Sequence, residues 1–207
     1  MGWYSEVVVP RLVHLVLSRE PFRGLRPRAL APAQGRVLEL GAGSGLNLPH
    51  YGPAVREVLA LEPNAAARRM AQRTRGGARV QFVAGDAHAL PLTDASVDAV
   101  VSTWTLCSLA DPARALAEVR RVLRPGGRFL FLEHGRSPDP RTARWQTRLT
   151  PLQRRLAGGC HLDRPIATLV SGAGLEVERL DEFDVLGLSL VGHHFLGSAY
   201  APPGGAP

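Results

Sequence analysis

The chain contains no lysine. All 25 of its basic residues are arginine, a choice that reflects coding bias toward GC-rich codons, so single arginines carry little weight. Against 18 acidic residues they leave a formal charge of +7, which favours anionic neighbours: nucleic acid, lipid head groups or an acidic substrate. No basic run of five or more occurs, so a nucleic-acid partner is not expected. Cysteine is scarce. Cys107 and Cys160 are too few for a disulfide scaffold or a four-thiolate zinc site; a reducing cytosol is the simpler setting, and no metal centre is expected. No apolar run is long enough to cross a bilayer. The most apolar stretch, Trp3 to Leu17, is interrupted by Glu6, Arg11 and His14. It also lacks the basic start and small-residue cleavage site of a secretory signal. A packing helix, a cover over a site and a helix lying on a membrane surface all fit it. No internal repeat or second domain is evident, and 207 residues with 45% hydrophobic content suit one domain.

What is present centres on Val37-Leu38-Glu39-Leu40-Gly41-Ala42-Gly43-Ser44-Gly45. A short apolar run suits a buried parallel strand, and the glycines let the backbone turn with no Cβ in a ligand's way. A second run, Glu57 to Leu61, ends in Glu62, 17 residues after Gly45. A carboxylate at that strand tip suits the two hydroxyls of a ribose. The pair describes a pocket for an adenosine-containing cofactor. The dinucleotide fingerprint lacks its third glycine, since Leu46 stands there, and no Gly-Lys-Ser/Thr follows to make a phosphate loop.

The patterning predicts strands at 35–40, 57–61, 79–84, 97–103, 128–133, 174–180 and 194–200. A short helix is expected after the glycines, and others at 65–75, from the Asp111-Pro112 start onward, at 138–156 with a break at Thr150-Pro151, and at 163–172. Residues 18–34, rich in proline and arginine, read as a connector. Trp145, Leu149, Leu152 and Leu156 share one face of the 138–156 helix, with arginines mostly elsewhere. Residues 201–207 are expected to be disordered. Alternating βα units argue for a mostly parallel sheet with right-handed crossovers. Asp98, inside an apolar strand, is expected to have a structural partner rather than to act as a base.

Five segments in this order carry a resemblance: Glu39 to Gly45, Leu61-Glu62-Pro63, Gly85-Asp86-Ala87, Ser96-Val97-Asp98-Ala99-Val100 and Leu123-Arg124-Pro125-Gly126-Gly127. From about Gly35 to Leu132 the chain resembles the class I S-adenosylmethionine (SAM)-dependent methyltransferases. The resemblance implies an α/β Rossmann-like fold: a seven-stranded, mostly parallel sheet, helices on both faces, and an antiparallel last strand inserted between strands five and six. It implies SAM as cofactor. Residues 35–135 would form the SAM-binding core, 136–200 the acceptor side, and 1–34 an N-terminal helix and connector.

The implied cofactor set is Glu39, Gly41, Gly43, Gly45, Asn47, Glu62, Pro63, Asp86, Ala87 and Thr103. The glycine loop and the carbonyls near Thr103 would meet the α-carboxylate and ammonium. Glu62 would take the ribose diol, Asp86 the adenine amine, and the Ala87 N–H a ring nitrogen. Glu39 either nears the ammonium or supports from behind.

The acceptor is narrowed by absences. Ser102-Thr103-Trp104-Thr105-Leu106-Cys107 is neither the Asn/Asp-Pro-Pro-Tyr/Phe motif of amino methyltransferases nor a Pro-Cys nucleophile, and two thiols are too few for arsenite methylation. The chain is most similar to quinone C-methyltransferases, phosphatidylethanolamine N-methyltransferases and methyltransferase-like thiol S-methyltransferases. Thr105 to Ser108, Glu133-His134 and Gly159 to Arg164 look like the last group, whose long N-terminal membrane anchor is expected to be lacking here. His134, after strand five, is the candidate for contacting or deprotonating the acceptor. His193-His194 lack a third ligand for a metal. Two expectations remain: an enzyme methylating a small or amphiphilic acceptor (thiol, quinol, phenol or lipid amine), and a non-catalytic SAM-binding module. A cytoplasmic location with peripheral membrane contact through Val7–Leu17 and the 141–155 arginine face completes the reading.

Overall fold

The computed structural model describes residues 3–185 and 190–202. The expectation for 201–207 therefore falls, from residue 203 on, outside the described residues. Seven strands form one sheet: β1 (Gly35–Leu40), β2 (Val55–Leu61), β3 (Arg79–Val83), β4 (Val97–Thr103), β5 (Leu123–His134), β6 (Glu176–Asp184) and β7 (His193–Tyr200). Their order is β3-β2-β1-β4-β5-β7-β6. The pairs from β3 to β5 are parallel, and β7 runs antiparallel between β5 and β6.

Strand residues alternate between two cores. Leu38, Leu40, Leu59, Leu61, Val100, Phe129 and Phe131 pack on one face, under α4 (Pro112–Val122) and α6 (Ile166–Gly172). Val37, Val58, Ala99, Val101 and Leu130 pack on the other, against Leu30 of α2 (Phe22–Leu30). A period of two with both faces buried is what a parallel sheet between helices requires. Asp111 starts α4 as expected, its carboxylate accepting from the Arg114 N–H at 3.0 Å.

Several elements differ from the sequence reading. The connector at 18–34 contains α2, because Phe22, Leu25, Ala29 and Leu30 fall on one face and are buried despite Pro27 within the helix. No α-helix follows the glycines, only a 3₁₀ turn at Leu48–His50. Tyr51 is already extended and Gly52-Pro53 follow it, so the turn is not continued as a longer helix. Helix α5 (Pro140–Leu156) runs through Pro151 unbroken. The Thr150 hydroxyl donates to the Gln146 carbonyl at 2.9 Å, one residue from the amide that proline removes. Strand β5 begins at Leu123, five residues early, where Leu123 pairs with Val97. Strand β6 runs on to Asp184, because β7 pairs with it along that whole length.

Helix α1 (Val9–Leu17), preceded by a π-helical turn at Tyr4–Val8, lies over the carboxyl ends of the strands and buries only Val9. Helix α3 (Ala65–Ala71) is capped by Asn64, whose Oδ1 accepts from the Ala67 N–H at 2.9 Å.

Candidate active site

The tips of β1, β2 and β4 open into a groove of about 340 Å³. Gly41, Gly43, Glu62, Pro63, Asp86 and Ala87 line it. Gly41 and Gly43 adopt φ of +60° and +54°, a region that costs an L-residue about 1–2 kcal/mol. A Cβ on Gly41 would meet Thr105 Oγ1 at 2.5 Å. One on Gly43 would meet only the Gly41 carbonyl, at 3.8 Å, and otherwise project into space. That opening is the cradle a ligand backbone or carboxylate would fill.

Glu62 holds the loop's other side. Its carboxylate accepts from the Gly43 N–H at 2.9 Å and from the Asn64 N–H at 2.8 Å. Each oxygen keeps a further lone pair for a two-point contact with a diol. Burial raises the Glu62 pKa, while those two N–H groups oppose the rise. Asp86 stands on the exposed rim, its pKa lowered by the His88 N–H and imidazole that it accepts from.

Glu39, Asn47 and Thr103 lie behind the groove in a buried polar chain. The Arg26 guanidinium donates to Asn47 Oδ1 at 2.7 Å. The Asn47 amide donates to Glu39 and to Thr103 Oγ1, each at 2.9 Å, and the Tyr51 hydroxyl donates to Glu39 at 2.8 Å. Burial pushes the Glu39 carboxyl up to about 7, against the bonds from Tyr51 and Asn47, and brings Arg26 down to about 10. Gly45 also stands behind, packed on Ala71 and Leu48. Asp98 is far from these residues, accepting from the Arg36 N–H at 2.7 Å and paired with Arg56 and Arg124.

A second cavity, of about 300 Å³, adjoins the groove. Val9, Val13, Trp104 and Ser108 line both. Its walls are mostly apolar, with Leu12, Val16, Phe22 and Leu156 among them, and its polar groups are few: Cys107, Ser108, His134, Gln153, Cys160 and His194. Such a cavity suits an apolar molecule held by a small number of placed groups.

Trp104 divides the two spaces and has φ +50°, a strained value for a bulky residue. Its surroundings fix it there. Its backbone N–H donates to the Leu132 carbonyl at 2.9 Å and its indole N–H to His194 Nε2 at 3.1 Å. Phe22 meets the ring edge-on, and the Arg26 guanidinium lies 4.8 Å from its centroid. His194 Nδ1 faces the Gly192 carbonyl at 2.7 Å, so the neutral ring carries its proton there and accepts from Trp104. Burial keeps it neutral, with its pKa down near 4. At the tip of β5, the buried Glu133 accepts from Ser102 Oγ and from the N–H groups of Thr105 and Leu106. This fixes the turn that carries Trp104 and Cys107.

Arg26, Trp104, Glu133 and His194 were not singled out for these positions by the sequence. Trp104, directly after a strand tip, and Glu133, at the end of a predicted strand beside His134, carried a usable signal.

Comparisons with known proteins agree with the geometry. Residues 38–131 match the family model described as "Methyltransferase domain". The human thiol S-methyltransferase TMT1B is 35% identical over 189 residues, covering 88% of this chain and 77% of that protein. Its rat counterpart aligns at 35% identity over 153 residues, and there the chain spans 62% of the relative's length. A demethylmenaquinone methyltransferase of Renibacterium salmoninarum is 39% identical over 98 residues, 47% of this chain and 40% of that one. A solved SAM-dependent methyltransferase of Thermotoga maritima superposes with a TM-score of 0.68 at 20% identity, covering 96% of this chain and 97% of its own.

Proposed function

Because the chain belongs to the class I SAM-dependent methyltransferases, we propose that it methylates a small, apolar acceptor, a thiol before a quinol, phenol or lipid amine. The observation that carries this reading is the shared wall: a groove with the loop and carboxylate for a nucleoside adjoins an apolar cavity across Trp104 and Ser108. When bound, SAM supplies a methyl group already activated on a sulfonium. What remains for the protein is positioning.

The proposed cofactor contacts are the Gly41–Gly43 backbone, Glu62 beneath the ribose, and Asp86 with Ala87 at the adenine end. Pro63 shapes the wall beside Glu62. Glu39, Asn47, Gly45 and Thr103 keep the loop in place from behind. His134 serves the acceptor end from the tip of β5. The apolar residues of α1 and α5 exclude water from the acceptor and select against charged molecules. A thiol suits this cavity because its pKa is low enough for the anion to form with little help, and because the chain is similar to thiol S-methyltransferases.

Incubation with methyl-labelled SAM and a panel of thiols, quinols, phenols and phosphatidylethanolamine, read by mass spectrometry of products, tests this. Label in a thioether is expected. Label in no acceptor, despite tight cofactor binding, would favour a non-catalytic SAM-binding module.

We also propose peripheral membrane contact around the cavity mouth, in a cytoplasmic setting. No helix described here is long and apolar enough to cross a membrane. However, Trp3, Leu12, Leu15 and Val16 are exposed on and before α1, and Trp145, Leu152 and Leu156 on α5. Tyr4 joins the two, its hydroxyl donating to the Leu156 carbonyl at 3.0 Å. Clustered exposed apolar side chains beside arginines suit an anionic bilayer surface. Co-sedimentation with anionic vesicles at low salt is expected, and its absence would remove the proposal.

A further inference from the structure

Cys107 lies in the turn after β4, His134 at the tip of β5, and Cys160 in the loop after α5. These three segments, distant in sequence, bring their side chains together on one wall of the acceptor cavity. The donor atoms all lie within 4.8 Å of one another, and His134 Nε2 is 3.1 Å from Cys160 Sγ. All three residues are buried. His134 and Cys160 are hydrogen-bonded to each other, and Cys107 Sγ comes within reach of both. The other sulfur contacts are longer: Cys107 Sγ to Ser108 Oγ at 3.5 Å and to the Trp104 carbonyl at 3.6 Å, and Cys160 Sγ to the His161 carbonyl at 4.0 Å. His134 Nδ1 is buried with no partner among the described residues.

The backbone builds this meeting point. The His161 N–H donates to the Cys107 carbonyl at 2.8 Å, and the Arg164 guanidinium donates to the Leu109 carbonyl at 2.6 Å. Both bonds tie the Cys160 loop to the Cys107 turn. Gly159, at φ +91°, turns the loop where a Cβ would meet the Ser108 carbonyl at 3.1 Å.

Two thiolates and one neutral imidazole match a borderline-soft divalent ion. With Zn²⁺ the three-residue unit is electrically neutral, and a thiolate in the open position would add one negative charge that the positive charge of the methyl donor would offset. Tetrahedral zinc needs a fourth ligand, and catalytic zinc sites leave that position to water or substrate. We propose that Cys107, His134 and Cys160 form a Zn²⁺ site whose fourth position takes the acceptor as a thiolate, an inference that rests on the methyl-transfer reading above. It replaces the absence of metal expected from a count of two cysteines. As the acceptor binds, its S–H bond breaks, the proton leaves to solvent, and the sulfur shares an electron pair with the ion. No electron is transferred. Cys107 and Cys160 lose their thiol protons in the same way when the ion enters. Coordination fixes the nucleophile beside the Trp104 wall and prefers sulfur over phenol oxygen or a protonated amine.

Cobalt(II) substitution of the full chain tests the site. The chain has only these two cysteines, so any thiolate-to-cobalt charge-transfer band must arise from them. One equivalent of Co²⁺ is expected to bind, with that band and the visible bands of a tetrahedral ion, and to be displaced by Zn²⁺. Cys107→Ser and Cys160→Ser should each weaken the band, and the double variant should abolish it, while calorimetric binding of S-adenosylhomocysteine stays intact as proof of folding. Added thiophenol should shift the visible bands. No charge-transfer band in chain that binds S-adenosylhomocysteine overturns the site. A band that thiophenol leaves unmoved overturns the acceptor's place in it. A full cobalt response with no methyl transfer to any acceptor of the panel would instead overturn the methyl-transfer reading and leave the metal site standing.

Discussion

His14 Nδ1 lies 2.7 Å from Ser44 Oγ, which fastens helix α1 to the glycine loop. The same helix forms walls of both the groove and the acceptor cavity. It therefore acts as a cover whose docking is coupled to the loop that would hold the cofactor. His14→Ala removes one hydrogen bond, worth about 1 kcal/mol. The expected result is a several-fold faster release of S-adenosylhomocysteine in stopped-flow fluorescence, with little change in thermal midpoint. An unchanged release rate would show that the contact does not hold the cover.

Glu62 is bonded on one side to the loop it would share with the ligand. Glu62→Ala removes the charged acceptor for the ribose and leaves the Gly43 N–H without its partner. Hydrogen bonds to charged groups are worth about 1.5–3 kcal/mol, so SAM affinity should fall by about 10- to 100-fold in equilibrium dialysis. Glu62→Gln should fall between the two.

Gly41 and Gly43 separate packing from binding. Alanine at either position strains the backbone by about 1–2 kcal/mol. At Gly41 it also collides with Thr105 Oγ1, 2.5 Å away, so Gly41→Ala should lower the thermal midpoint more. Gly43→Ala points into the groove, and its larger effect should be on cofactor affinity. Equal effects of the two variants on both readouts would contradict the assigned geometry.

Glu39 gives a pH signature. Burial lifts its folded pKa from the ordinary 4.5 to about 7. Between those values the unfolded chain has lost the proton and the folded chain still holds it. The stability that this group contributes is complete below about pH 4.5, falls as pH rises toward 7, and is level above that. Glu39→Gln keeps an acceptor for Asn47 and removes the titration. In urea unfolding from about pH 5 to about pH 7, the wild type should lose stability relative to the variant. Parallel pH profiles would contradict this.

The groove was legible in the sequence because its parts are local. Glycines must turn the chain after a buried strand, and a carboxylate must follow the second strand at its tip. Parallel pairing followed from alternating elements, the insertion of the last strand between β5 and β6 from the family resemblance, and Asp111-Pro112 marked a helix start. The acceptor cavity was legible through His134 and its neighbours and through Trp3 to Leu17, for which a cover over a site was one reading. It is assembled from α1, α2, the turn after β4, α5 and β7, whose side chains meet only after folding. Arg26 was hidden in a stretch whose prolines read as a connector, although Phe22, Leu25 and Ala29 had helical spacing. His194 gave no signal, since its role depends on the register of β7 against β5.

Isothermal calorimetry with S-adenosylhomocysteine tests the central claim most directly, because everything proposed for the acceptor depends on a nucleoside seated between Gly43 and Glu62. One molecule per chain should bind, with the heat strongly reduced in Glu62→Ala. Folded wild-type protein that gives no heat of binding would contradict the account.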